Sequence, residues 1–175
     1  VLLIDDNTNI NFIQFLIGSK ISAQSNLVEM KLGENSVVNH GLIALGGGEA
    51  NLISTLAIEQ GIESDYSLTS IQQGWDFSRF EPKIFQSKGQ AKTKLKSLQI
   101  SNKSEQLMTD SMVYFNGPNG NLDQLNKTVA NGHSHSIFNG AIRVPKIAQK
   151  TEAAQLSRNL ILSKRAKIDA KPELE

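Results

Sequence analysis

From Gln149 to Glu175 the chain reads QKTEAAQLSRNLILSKRAKIDAKPELE, and the fold turns on how this stretch is understood. Ala153, Ala154, Gln155 and Leu156 tolerate a helix, so composition alone leaves Lys150 to Leu162 open between helix and strand. Gln149, Lys150, Thr151, Gln155, Arg158 and Asn159 form a dense polar set. In stacked strands such residues build hydrogen-bonded ladders that satisfy the backbone groups of turns. Arg158 offers a planar fork suited to a carbonyl or a carboxylate.

Outward from this stretch the periodicity is two. Asn9-Ile10-Asn11-Phe12 and Val28-Glu29-Met30-Lys31-Leu32 alternate polar and apolar, the signature of half-buried strands. Ala91-Lys92-Thr93-Lys94-Leu95-Lys96 does the same and puts Lys92, Lys94 and Lys96 on one face. Asn-Gly pairs begin at Asn116, Asn119, Asn131 and Asn139, each suited to a tight turn with positive φ. Gly33, Gly61 and Gly89 break other runs, and Gly46-Gly47-Gly48 marks a loop.

A degenerate unit also recurs: a turn, a small residue, then a β-former two places on. It stands as Thr8-x-Ile10, Ser36-x-Val38, Ala91-x-Thr93 and Ala166-x-Ile168, with offsets of 28, 55 and 75 residues. Loose multiples of a coil in the high twenties are what a solenoid with variable loops gives. Its coils would stack like side chains into columns, each buried Val, Ile or Leu contributing roughly 1.5–3 kcal/mol. The same alternation permits a β-sandwich.

The bulk numbers narrow the function classes. The chain has 175 residues, enough for one continuous core, and a formal charge of +1 that steers toward neither nucleic acid nor anionic lipid. It has no cysteine, so it can build neither a disulfide framework nor a thiolate metal site. No stretch approaches the roughly 18 apolar residues that cross a bilayer. Val1-Leu2-Leu3-Ile4 runs straight into Asp5-Asp6 without a basic leader, unlike a signal peptide. A start without Met and a finish inside a motif read as a soluble piece of a longer protein.

Gln-Lys-Thr, then Gln-x-x-Arg-Asn-Leu-x-Leu-Ser, then Asp-x-Lys-Pro-x-Leu-Glu resembles the SufB/SufD scaffold proteins of the SUF iron–sulfur cluster assembly system, and SufD more than SufB. Weaker matches lie at GENSVVNH (Gly33 to His40), Thr55 to Ile58 and Ser136-Ile137-Phe138-Asn139-Gly140. The chain departs from the commoner family wording at Leu156 and Ala170. The resemblance implies an all-β right-handed parallel β-helix (β-solenoid) over residues 1–175, with little helix and with Lys150 to Leu162 in its sheet. Flanking helical regions and the family's Cys-x-His-Gly motif are expected outside these residues.

Each candidate site carries a plain reading beside a chemical one. His133-x-His135 has metal-ligand spacing on a strand, with His40, Asp110 or Asp123 as a third donor, but two histidines beside a turn are commonly just solvated. Gly46-Gly47-Gly48 lacks the Lys-Ser/Thr of a phosphate loop and is followed by Glu49, so it reads as a turn. Lys92, Lys94 and Lys96, with Lys83, Lys88 and Lys103 nearby, form the basic cluster; aromatics for base stacking are sparse, Phe85 being the nearest. A charged strand face guarding against edge-to-edge pairing is the preferred reading. Asp5-Asp6-Asn7 has turn composition, and Glu173 and Glu175 make no constellation with a nucleophile. No catalytic, cofactor-binding or metal residue is assigned. The polar set from Gln149 to Asn159 reads as a register-fixing turn network.

The resemblance further implies a non-catalytic scaffold subunit, cytoplasmic or in a plastid stroma, that pairs with a SufB-type subunit and the SufC ATPase. A nascent Fe–S cluster would form at the interface of the full complex, with no cofactor held by this fragment. Binding of nucleic acid or membrane is not expected. An open last coil calls for a cover, such as a second copy in a homodimer, a helix or a partner subunit. Two other readings share the architecture: a polysaccharide-acting β-helix enzyme and a purely structural interaction module. The first needs clustered carboxylates and arginines, whereas Arg79, Arg143 and Arg158 are scattered along the sequence.

Overall fold

The computed structural model describes residues 1–175. Thirteen strands and no helix make up the chain. They are β1 (Leu2–Ile4), β2 (Asn9–Ile17), β3 (Ile21–Leu32), β4 (Val37–Leu45), β5 (Glu49–Gln60), β6 (Asp65–Gln73) and β7 (Phe77–Gln86). β8 (Lys92–Ser101), β9 (Gln106–Phe115), β10 (Asn121–Ala130), β11 (His135–Arg143), β12 (Glu152–Ile161) and β13 (Lys167–Leu174) complete the set. Odd-numbered strands form one sheet in the order β1-β3-β5-β7-β9-β11-β13, here sheet A. Even-numbered strands form the other, β12-β10-β8-β6-β4-β2, here sheet B. Every pairing is parallel, and consecutive strands always change sheet, so the chain winds as a β-solenoid of about six turns. The β-helix expectation holds, the sandwich alternative is excluded, and Lys150 to Leu162 lies in β12 and its flanking turns rather than in a helix.

The repeat is also there. Asn9, Val37, Asp65, Lys92, Asn121 and Glu152 stand side by side across sheet B, giving coils of 28, 28, 27, 29 and 31 residues. Thr8, Ser36 and Ala91 each close the turn from sheet A to sheet B, as do Ser64, Gly120 and Thr151, which complete the series. The residue before each has a left-handed backbone: Asn7, Asn35, Glu63, Gln90, Asn119 and Lys150 all have φ between 53° and 58°. Ala166 belongs to the opposite turn, from sheet B to sheet A, so it is not a member of that series. Asn139-Gly140 also departs from expectation: both lie inside β11. Gly140 is needed for space, since a Cβ there would meet the Gln155 side-chain amide, which reaches across from sheet B.

Alternate residues of each strand face the interior. One sheet A column is aliphatic over five rungs: Met30, Ile58, Ile84, Val113 and Ile142 are all buried. The tube is not filled by aliphatic residues alone, however. In sheet B the column Leu16, Ala44, Gln72, Gln99, Thr128 becomes polar from the third rung onward. These buried groups bond to one another: Gln72 Nε2 donates to Thr109 Oγ1 at 2.8 Å and Ser78 Oγ donates to Gln72 Oε1 at 2.9 Å. Buried polar groups persist only when so paired.

One corner is built around Trp75, the sole tryptophan. It sits between β6 and β7 with no exposed surface. A Cβ on Gly18 would lie 2.3 Å from its ring, and one on Gly46 would lie 2.7 Å from it, so the two preceding turns must lack side chains there. That is the role of Gly46 in the Gly46-Gly47-Gly48 loop.

His40, on β4, is buried between Phe12 and Tyr66. Its ring stacks on Phe12 with centroids 4.3 Å apart, its Nδ1 is 2.9 Å from the Tyr66 hydroxyl, and Nε2 has no partner. Burial lowers its pKa to about 4 and pushes the Tyr66 phenol up. A histidine whose folded value lies below its unfolded one binds its proton more readily when unfolded. Stability therefore falls as pH drops from about 6.5 to about 4, by up to about 3 kcal/mol. Denaturant unfolding at pH 7 and pH 4.5 checks this: His40→Phe should lose much of the acid sensitivity, and equal sensitivity in both proteins would exclude His40 as its source.

Candidate functional site

The candidate residues separate in space. His133 lies in the turn before β11, its Nε2 accepting from Arg165 Nη1 at 2.8 Å. His135 opens β11 with its Nε2 2.6 Å from Asp169 Oδ2. No three His, Asp or Glu side chains come together as a metal-binding group; His40 is in the interior, and Asp110 is paired with Arg79. Asp6 Oδ1 accepts the Glu34 backbone N–H at 2.7 Å, so this aspartate pins one turn to the next. Glu175 pairs with Arg143 at 2.9 Å and Glu173 with Lys171 at 2.5 Å.

The polar set after Gln149 is partly the turn network expected. Thr151 Oγ1 donates to the Ala148 carbonyl at 2.9 Å, Gln149 Nε2 to the Lys146 carbonyl at 2.5 Å, and Gln155 Nε2 to Gln124 Oε1 at 2.9 Å. Arg158 takes no part: it is exposed on the outer face of β12, in register with Lys127. Lys92, Lys94 and Lys96 do share one exposed face, yet β8 lies between β6 and β10. Their charges therefore guard no sheet edge.

The arginines are not all scattered once the chain is coiled. Arg79 Nη2 meets Asp110 Oδ2 at 2.9 Å on the adjacent rung. Its Nε lies 2.7 Å from Glu81 Oε1, an ion-pair contact whose N–H is not aligned for a hydrogen bond. Lys83 and Thr55 hold the other Glu81 oxygen at 3.4 and 3.3 Å. Partial burial works to raise the Glu81 carboxyl, but Lys83 and Arg79 outweigh it and keep it below the usual carboxylate range. A carboxylate so held, with both oxygens engaged, is built to stay ionised rather than to exchange protons.

This cluster belongs to a pattern that distinguishes the two outer faces. Ion pairs fill the outer face of sheet A: Lys31–Glu59, Arg79–Glu81, Arg79–Asp110, Lys83–Glu81, Arg143–Glu175 and Lys171–Glu173, beside the His135–Asp169 hydrogen bond. The one pair elsewhere, Lys88–Glu34, joins two turns. Sheet B's outer face has none. Instead, two columns near the C-terminal ends of its strands are apolar. Phe15, Ile43, Ile71 and Leu98 stand in register on four successive strands. Beside them run Ile17, Leu45, Gln73, Ile100, Val129 and Leu160, apolar but for one member. Phe15 is 60% exposed, Ile17 56% and Leu160 54%, while Ile43, Ile71, Leu98, Ile100 and Val129 between them are half-buried; contiguous apolar surface of this kind is characteristic of interaction sites. A hollow of about 190 Å³ opens at the edge of the band, where Ile71, Leu98 and Leu125 meet Thr69, Lys96 and Lys127. Lys127 and Arg158 continue the Phe15 column on β10 and β12, with Lys96 beside it on β8, all three exposed and without an ion pair.

The sequence held a signal for this band: once coils of about 28 residues are aligned, Phe15, Ile43, Ile71 and Leu98 fall in one phase with the outward Lys96. The face offers apolar area, a shallow hollow and a basic margin.

Comparison with known proteins gives the context. The family model described as "SUF system FeS cluster assembly, SufBD core domain" matches residues 1–175. An iron–sulfur cluster assembly SufBD family protein of Synechocystis sp. is 37% identical over 147 residues, covering 84% of this chain and 32% of that protein. The chloroplastic protein ABCI7 of Arabidopsis thaliana is 25% identical over 178 residues, covering 99% of this chain and 38% of that protein. The iron–sulfur cluster assembly protein SufD of Escherichia coli is 34% identical over 82 residues, covering 47% of this chain and 19% of that protein. The chain thus spans 38% or less of the length of each of these relatives.

Proposed function

Because this chain belongs to the SufBD core family of the SUF iron–sulfur cluster assembly system, we propose that it is the solenoid of a SufD-type scaffold subunit, pairing with a SufB-type subunit and a SufC-type ATPase. The observation that carries the reading is the family match along residues 1–175, joined to relatives named SufD. The geometry is compatible with the role. Stacked parallel ladders make a stiff rod on which partner surfaces keep a fixed separation, and the apolar face of sheet B offers contact area.

In this reading the chain performs no bond chemistry of its own. ATP hydrolysis in the ATPase subunits shifts the scaffold pair, and the nascent Fe–S cluster, which is cargo, assembles at the interface between scaffold subunits. Residues 1–175 supply no thiolate to it, having no cysteine, and His133 and His135 are engaged by Arg165 and Asp169. The setting is a bacterial cytoplasm or a plastid stroma, in keeping with relatives from Escherichia coli and from a chloroplast.

Co-expression of the full-length protein with SufB-type and SufC-type proteins of the same genome tests the proposal. A tag on this protein should retain both through gel filtration. Elution of the tagged protein without either one, from cells that make all three in soluble form, would end the reading.

A further inference from the structure

We propose that the apolar band on the outer face of sheet B is the seat of an amphipathic α-helix with an acidic flank, supplied by the same polypeptide from outside residues 1–175. Three observations bear on it: the shape of the band, its charged margin and the length of the related proteins.

The shape favours a single rod. The two columns that begin at Phe15 and Ile17 are two residues apart along the strands, about 7 Å. The Ile17 column crosses six strands, roughly 24 Å at about 4.8 Å spacing, while the Phe15 column is apolar on its first four and continues as Lys127 and Arg158. An α-helix is about 10 Å across, and about 16 residues of it span 24 Å. A second sheet would reach further along the strands and bury Asn11, Asn39, Lys94 and Asp123, which occupy the outer positions at their N-terminal ends. A strand cannot add here, because the backbone edges of the solenoid face along its axis, not outward from this face. The hollow at the band's edge, walled by Ile71, Leu98 and Leu125 and by Lys96 and Lys127, then receives one side chain of the helix.

The margin sets the charge. Lys96, Lys127 and Arg158 lie together at the β8–β12 end, while the β2–β4 end has no charged residue on its outer face. A helix carrying Glu or Asp beside its apolar stripe at one end pairs with these cations; a basic helix is repelled. The source follows from length: this chain makes up 32% and 38% of the two relatives that it matches along most of its own length, so their polypeptides have ample further chain to cover such a face. The inference rests on family membership but not on the SufB and SufC partners, and its test omits them.

Full-length protein is purified alone with p-benzoylphenylalanine incorporated at Ile71 and, as a control, at Glu59 on the outer face of sheet A. Irradiation followed by peptide mass mapping should give an intramolecular cross-link from Ile71 to a segment outside residues 1–175 whose apolar residues recur at i, i+3, i+4 and i+7 with acids alongside. Glu59 should give none to that segment. In the same protein, Lys127→Glu with Arg158→Glu should speed hydrogen exchange of the cross-linked segment about fivefold, the loss expected from roughly 1 kcal/mol of charge pairing. Cross-links to a second copy, to a co-purifying protein or to nothing would each overturn the proposal, as would a target segment lacking the helical spacing.

Discussion

Replacing Trp75 with alanine is expected to destabilise the solenoid by roughly 3–5 kcal/mol, the range for truncating a buried aromatic. For a chain of 175 residues this lowers the thermal midpoint by roughly 10 °C. The cost follows from how the corner is built. Gly18 and Gly46 hold open the space that the ring fills, and the backbone there is tied down, Asp76 N donating to the Ala50 carbonyl at 2.9 Å. The walls therefore cannot collapse onto the vacancy, and the cavity term adds to the lost transfer energy. Trp75→Phe should cost far less, about 1–2 kcal/mol, because the indole N–H makes no hydrogen bond that would be lost. The wild type has its own probe, since Trp75 is the only tryptophan: blue-shifted, iodide-resistant emission should persist until the cooperative transition. The alanine and phenylalanine variants are followed by circular dichroism. A loss under 1 kcal/mol in Trp75→Ala would mean that the corner repacks and that the glycines are not there for the ring.

The strand alternation was legible because a period of two is written directly into residues such as Val28 to Leu32, whatever the tertiary arrangement. Which of the two alternating sets faces inward was not. Ile13-Gln14-Phe15-Leu16-Ile17 is nearly all apolar, and only the pairing of β2 with β4 puts Leu16 inside with Ala44 and leaves Phe15 outside with Ile43. The coil repeat was half visible for a similar reason. A turn needs a small residue at its close, and Ser64 and Gly120 meet that need as well as Thr8 or Ser36 does, so no fixed letter marks the position. Asn139-Gly140 misled because a glycine demanded by space looks like one demanded by φ; the Gln155 amide that requires the gap lies on the opposite sheet.

The separated arginines misled in the same way. Arg79 and Asp110 are 31 residues apart in the chain, yet one rung apart in space. Of the candidate sites, those decided by local composition survived: Asp5-Asp6-Asn7 and Gly46-Gly47-Gly48 are turns. Those that depended on neighbours from other coils, the lysine row on β8 and the arginine fork at 158, took meanings that only the sheet order could give. The apolar band of sheet B belongs to this second kind.

Gln60→Leu is expected to cost roughly 2–4 kcal/mol although it makes the interior more apolar at nearly constant volume. Gln60 is fully buried at the end of β5. Its Nε2 donates to the Lys92 carbonyl at 2.9 Å, and its Oε1 accepts from Thr93 Oγ1 at 2.5 Å. One rung on, Gln86 repeats the device, its Nε2 donating to Thr93 Oγ1 at 2.8 Å and to the Asn121 carbonyl at 3.0 Å. Lys92 and Asn121 begin β8 and β10, so the glutamines tie the end of a sheet A strand to the start of a sheet B strand across the tube. Leucine would leave the buried Thr93 hydroxyl without its acceptor, at about 1–3 kcal/mol, and would remove the side-chain donor of the Lys92 carbonyl, a net hydrogen bond worth about 0.5–1.5 kcal/mol. The hydrophobic gain from the added apolar surface is smaller than that sum. A double-mutant cycle separates the two effects: Thr93→Val in the Gln60→Leu background removes one orphan, so the pair should be less damaging than the sum of the single changes by about 1 kcal/mol. Denaturant midpoints measure both quantities. A neutral or stabilising Gln60→Leu would show that the polar column is replaceable filling, and that register at this corner is held by the backbone ladders alone.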